Sequence, residues 1–108
     1  MNETTPRKRA LVTGGSGGIG SAICRQLAAD GFHVIVHANR KLEAAQSLVD
    51  SLLAAGAQAQ ALAFDVTDAA ATSTALETLL ADGAIQVLVN NAGIHDDAVF
   101  PEIGRAHV

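Results

Sequence analysis

Residues 13–20, Thr13-Gly14-Gly15-Ser16-Gly17-Gly18-Ile19-Gly20, form a dense glycine cluster directly behind a short apolar run. Glycines in that position let a backbone turn tightly and come close to an anion. If a helix begins there, its unpaired N–H groups favour negative charge. The chemistry implied is therefore a phosphate cradle. Two glycine registers fit it, Gly15-x-Gly17-x-x-Gly20 and Gly14-x-x-x-Gly18-x-Gly20. The bland alternative is a flexible turn without a ligand.

A second constellation, Ala38-Asn39-Arg40-Lys41, lies about twenty residues further on, where a dinucleotide site usually keeps the group that reads the adenosine ribose. A carboxylate there accepts the 2′-hydroxyl of NAD, whereas an arginine suits the 2′-phosphate of NADP. This chain has two cations and no carboxylate, so NADP is favoured and NAD is less so. Arg40 and Lys41 also stand at the wrong end of the following helix for its dipole, which supports a function over decoration.

Other polar groups carry less. His95-Asp96-Asp97 follows the last predicted strand and has the types needed for a general acid or a metal ligand. Three adjacent loop residues do not converge as metal ligands do, so they read as solvated loop and no metal is expected. Ser16 and Cys24 have no evident base partner, and the glycine cluster is not a nucleophile elbow.

The elements that must position these groups alternate. A strand over 10–13 precedes the glycine cluster. A helix follows with Ile19, Ala22, Ile23 and Leu27 on its apolar face and Gly31 at its end. A strand over 33–37 leads into a helix carrying Leu42, Ala45, Leu48, Val49, Leu52 and Leu53, closed by Gly56. A strand over 58–65 then precedes a helix capped by Asp68, with Ala75, Leu76, Leu79 and Leu80 inward and Gly83 at its end. The last strand covers 86–90. The runs Val34-Ile35-Val36 and Val87-Leu88-Val89 are continuously apolar and β-branched, as in parallel strands covered on both faces. Right-handed crossovers turn this order into an α/β Rossmann-type doubly wound parallel sheet, truncated at four strands, in the order 3-2-1-4.

Size and composition bound the rest. The chain has 108 residues, 49% of them apolar, which suffices for one core and leaves no room for a second domain. A net charge of −4 gives no general attraction to nucleic acid or to anionic membranes, and Arg7-Lys8-Arg9 reads as a solvated terminus. No apolar run reaches the length of a membrane span. Cys24 is alone, which excludes an internal disulfide and fits a reducing cytoplasm. With no Tyr in the chain, any mechanism that needs one is excluded.

Thr13 to Gly20, the Asp65-Val66 pair and Asn90-Asn91-Ala92-Gly93 together resemble the short-chain dehydrogenase/reductase family, within it the 3-oxoacyl-[acyl-carrier-protein] reductase branch. The resemblance runs from about Arg9 to Phe100. It implies that Gly14, Ser16, Gly18, Ile19 and Gly20 form the pyrophosphate turn, and that Asn39 and Arg40 lie around the adenosine ribose. Asp65 and Val66 would contact adenine through a carboxylate and an amide. Asn91, Ala92 and Gly93 would line the nicotinamide-side ribose. It further implies hydride transfer to a ketone, on a small-molecule or acyl-carrier-bound substrate.

Two departures matter. Gly17 stands where many NADP-dependent members place a basic residue, so the NADP reading rests on Arg40. The family's Ser, Tyr and Lys relay, including its Tyr-x-x-x-Lys motif, has no counterpart: Lys8 and Lys41 both precede the fourth strand. The chain is thus expected to be the amino-terminal part of a longer reductase and inactive by itself. Residues 1–8 would be a flexible terminus, 9–100 a partial dinucleotide-binding domain and 101–108 a tail unrelated to the family, with a poor helix start at Gly104. The competing reading is a non-catalytic dinucleotide-binding module. With only the third helix on one face of the sheet, an apolar strand surface is expected to be bare there and to promote self-association.

Overall fold

A computed structural model of the chain describes residues 7–91 and the backbone of 106 and 107. Apolar β-branched runs and helical-period runs alternate along the chain as strands and helices: β1 (Arg9–Thr13), α1 (Gly18–Ala29), β2 (His33–Ala38), α2 (Leu42–Ala54), β3 (Gln58–Ala63), α3 (Ala69–Ala81) and β4 (Val87–Asn90). A two-residue strand that the sequence does not announce, β5 (Ala106–His107), pairs with β4 through Val87↔Ala106 and Leu88↔His107. All pairings are parallel, and the order is β3-β2-β1-β4-β5, so the expected 3-2-1-4 arrangement holds. Among the described residues no helix is long and apolar enough to cross a membrane.

Alternation along the strands divides the core into two layers. Val12, Val34, Val36, Ala38 and Val89 face Cys24 of α1 and Ala45, Leu48, Val49 and Leu52 of α2. Leu11, Ile35 and Leu88 face Leu76 and Leu79 of α3, with Ile85 beside them. Two helices thus cover one face and one covers the other, as the winding requires. Leu11, Ile35 and Leu88 are nevertheless buried. The bare apolar strand surface expected on the α3 side is absent among the described residues. The same face turns polar toward the strand starts, where His33 Nε2 and Gln60 Oε1 are 2.8 Å apart.

The glycines that end the helices all have positive φ: Gly31 at 94°, Gly56 at 91° and Gly83 at 135°, a region side chains rarely enter. Asp68 caps α3 by accepting the Ala71 amide at 3.0 Å. At the other end of α3, Arg9 Nη1 donates to the carbonyls of Leu79 and Gly83 at 2.7 and 2.6 Å.

Several helix positions expected inward face solvent instead. Ile19, Ala22, Leu53 and Leu80 are exposed, Ile19 at 73%, and so is Leu42. In α1 the buried residues are Gly20 and Cys24, with Ile23 and Leu27 half-buried against the same core, so the inner face takes in only part of the expected line and is centred nearer Gly20 and Cys24. The cause is backbone contact: a Cβ at Gly20 would collide with the Gly14 carbonyl and the Gly15 Cα, so this helix approaches the loop through its glycine. β3 also ends two residues earlier than its apolar run suggests. Asp65 Oδ1 accepts the Thr67 amide at 2.9 Å and its hydroxyl at 2.7 Å, and the resulting turn takes the chain off the sheet.

Candidate dinucleotide site

The predicted site residues that are described gather at the carboxyl ends of β1 to β4, the edge at which doubly wound sheets bind ligands. Ala92 and Gly93 lie outside the described residues, as do His95, Asp96 and Asp97. Among the described residues no group of His, Cys, Asp and Glu is arranged to hold a metal ion. Two clefts, of about 420 and 350 Å³, lie at the opposite edge of the sheet and contain none of the motif residues.

The five glycines of the loop divide by role. Gly14 turns the chain at φ 65°. Gly15 is buried, and a Cβ there would stand 3.0 Å from both Cys24 Sγ and the Val12 carbonyl. Gly20 makes the close approach of α1 possible. Gly17 and Gly18 are different: a Cβ at Gly18 would meet nothing within 4 Å, and one at Gly17 would meet only the Gly14 carbonyl, at 3.6 Å. Packing therefore requires the first group of glycines, while the second leaves open space over the start of a helix. Gly17 is the N-cap of α1 and offers no side chain, and no acidic residue occupies the first turn. The amides of Gly18, Ile19 and Gly20 precede any intrahelical acceptor, so this end can receive an anion. These features fit a pyrophosphate.

Neighbouring strands hold the loop in place. Gly17 donates its amide to the Gly14 carbonyl at 3.2 Å, and Asn91 Nδ2 donates to the same oxygen at 3.1 Å. Asn91 thus braces the loop, a structural task beyond its expected place near the ribose. Thr13, fully buried, donates its hydroxyl to the Val89 carbonyl at 3.3 Å and lies 3.2 Å from Asn90 Oδ1. His37 was not singled out by sequence reasoning. Its Nδ1 accepts the Gly14 amide at 3.0 Å, and its Nε2 lies 2.7 Å from the Phe64 carbonyl. A histidine directly after the apolar run 34–36, on a strand covered on both sides, was the available signal.

On the outer side of the site, Asn39 Oδ1 accepts the Val66 amide at 3.0 Å. The Val66 amide, expected to face adenine, is thus held by Asn39 in this structure. The hydroxyl and amide of Thr67 hold the Asp65 carboxyl below its ordinary value. Desolvation opposes these two hydrogen bonds less strongly, and the nearby Arg40 charge and a hydrogen bond with Asn39 add smaller contributions in the lowering direction. Asp65 is thus an organised anion, with the exposed Arg40 close enough to feel it. Behind the loop, burial pushes the Cys24 thiol up to about 12, so it stays protonated and serves packing.

A parallel sheet wound in this order, with a glycine-lined helix start at its carboxyl edge, defines a Rossmann-type α/β domain. The family is fixed by comparison: a family model described as short chain dehydrogenase matches residues 8–108, and the chain belongs to that family of oxidoreductases. It is 40% identical over 98 residues to an acetoacetyl-CoA reductase of Cupriavidus necator, covering 90% of this chain and 40% of that protein. It is also 40% identical over 91 residues to the 3-oxoacyl-[acyl-carrier-protein] reductase FabG of Staphylococcus aureus, covering 83% of this chain and 37% of the relative. Among solved structures, a metagenomic short-chain oxidoreductase in complex with NADP superposes with a TM-score of 0.77 at 38% identity, covering 81% of this chain and 39% of that one. A gluconate 5-dehydrogenase from Burkholderia cenocepacia J2315, in complex with NADP and tartrate, gives 0.73 at 37% identity over 87% of this chain and 38% of its own. The chain therefore spans about two fifths of the length of these relatives.

Proposed function

We propose that this chain is the cofactor-binding part of an NADP-dependent reductase that converts a ketone to an alcohol, with a 3-oxoacyl thioester as substrate, free or carrier-bound. The observation that carries the reading is the unobstructed helix start at Gly17 and Gly18 with Arg40 on the same sheet edge. The amides of Gly18 to Gly20 receive the pyrophosphate, and Arg40 pairs with the 2′-phosphate. Asp65 accepts from the exocyclic amine of adenine. When bound, the nicotinamide supplies the hydride. The thioester assignment is supported by the acetoacetyl-CoA reductase and FabG relatives, and NADP by the two neighbours that hold it. The lone, protonated Cys24 is consistent with work in a reducing cytoplasm.

The 108 residues contain no tyrosine to protonate a developing alkoxide, so we expect this chain alone to bind without turnover. Two measurements on it test the reading. Titration should give tighter binding of NADP+ than of NAD+, with Arg40→Ala weakening NADP+ about tenfold and leaving NAD+ unchanged, as expected for one charge-assisted pair. Equal affinity for both dinucleotides in the parent chain would remove the NADP assignment. Hydride transfer from NADPH to an acetoacetyl thioester should be absent, and turnover would overturn the argument from the missing tyrosine.

A further inference from the structure

His37 is fully buried, and both of its ring nitrogens are in use. Nδ1 accepts the Gly14 amide at 3.0 Å, which requires that nitrogen to be unprotonated. The ring proton therefore sits on Nε2, which donates to the Phe64 carbonyl at 2.7 Å. The His37 main-chain carbonyl accepts the next amide, that of Gly15, at 2.9 Å. One residue of β2 thus fixes two successive amides of the phosphate loop and ties them to the end of β3. The Gly14 peptide it holds is the one at φ 65°, and the Gly14 carbonyl in turn receives Gly17 and Asn91.

We propose that His37 is a positioning residue for the dinucleotide, a neutral imidazole latch whose protonation at Nδ1 frees the Gly14 amide and loosens the loop, so that cofactor affinity follows pH. This rests on the reading of the site as a dinucleotide cradle. A proton taken from solvent turns Nδ1 from acceptor to donor, leaving two N–H groups facing each other, while the bond from Nε2 to Phe64 remains. From the loop after β3, the Asp65 carboxylate favours the charged ring. The Phe64 ring, 4.3 Å away and tilted by 55°, and the loop glycines carry no charge. On β2's own continuation, Asn39 is neutral and the Arg40 charge acts on Asp65. Burial outweighs both the Phe64 carbonyl and Asp65, which favour the charged ring, and lowers the value for His37, so the neutral ring is the resting form at pH 7.

Two isosteric substitutions separate the two bonds. His37→Asn keeps an acceptor near the Nδ1 position and does not titrate, whereas His37→Gln keeps a donor near Nε2 and loses the acceptor. NADP+ is titrated against each from about pH 7.5 to pH 5, the range in which histidine changes charge. At the upper end, His37→Asn should bind within about threefold of the parent and His37→Gln about tenfold more weakly, the effect of one unpaired, half-buried amide. The 2′-phosphate of NADP+ also titrates in this range and affects all variants equally, so the parent must lose about tenfold relative to His37→Asn on acidification. Identical pH profiles for the parent and His37→Asn would overturn the coupling. Nitrogen NMR of the cofactor-free chain reads the latch separately: Nδ1 bare at pH 7.5, with the Gly14 amide shifting as the ring titrates. The opposite tautomer overturns the latch whether or not a dinucleotide binds. No NADP+ binding by any variant overturns the cradle reading and the coupling with it, even if ring and amide titrate together.

Discussion

The side-chain oxygen of Asn39 accepts the amide proton of Val66 at 3.0 Å, joining the end of β2 to the turn after β3 across the carboxyl edge of the sheet. Beside it, Asp65 is ordered by Thr67 and feels the charge of Arg40. The end of β2 and the turn after β3 are thus linked at the ribose end of the proposed site, and under the NADP proposal the charge balance there would set which dinucleotide fits.

Asn39→Asp keeps an acceptor for the Val66 amide but adds a carboxylate beside Asp65 and next to the place of the 2′-phosphate. NADP+ affinity should fall at least about tenfold while NAD+ affinity holds or rises, measured by parallel titrations. Asn39→Ala leaves a buried amide unpaired and should cost about 1–2 kcal/mol in urea unfolding. An unchanged dinucleotide preference in Asn39→Asp would detach this position from the ribose.

The loop glycines should separate stability from binding. In Gly20→Ala the new methyl meets backbone atoms of Gly14 and Gly15 that have no flexible end to yield, so a loss of about 3 kcal/mol is expected in thermal or urea melts. Gly18→Ala meets open space and gains helix propensity, so stability should hold or rise by up to about 1 kcal/mol. Its methyl stands in the path of the phosphate, and dinucleotide affinity should drop.

His37 makes stability fall in acid. Its folded value lies below the ordinary value of 6.5, so the unfolded chain takes up the proton first. The contribution is complete above that ordinary value and is lost as pH falls toward the folded one. The slope is at most about 1.4 kcal/mol per pH unit. Urea midpoints across this range should show the decline in the parent and a flatter line in His37→Asn.

Arg9 closes the far edge of the sheet. Its guanidinium serves the last carbonyls of α3 at Leu79 and Gly83, and its amide donates to Gln86 Oε1 at 2.7 Å. Arg9→Met should cost about 1–3 kcal/mol of unfolding free energy and leave dinucleotide affinity unchanged, because it acts at the opposite end of the strands. A parallel loss of affinity would mean that the two edges are coupled.

The amino-acid sequence determined the alternation of elements, the strand order and the position of the glycine-rich loop. Apolar runs, helix-ending glycines and right-handed crossovers are local or near-local rules, and they leave few other ways to wind this chain. The jobs of individual polar groups were decided by tertiary structure. Nothing in the spacing of His37 and Gly14, Asn91 and Gly14 or Asn39 and Val66 announces a contact. Each pair comes together because parallel strands bring distant segments to one edge, where backbone groups at strand ends need partners. The same packing centred α1 on Gly20 and Cys24 and left Ile19 exposed while Ile23 and Leu27 still touch the core, because backbone contact at a glycine restricts which part of an apolar helix face can approach.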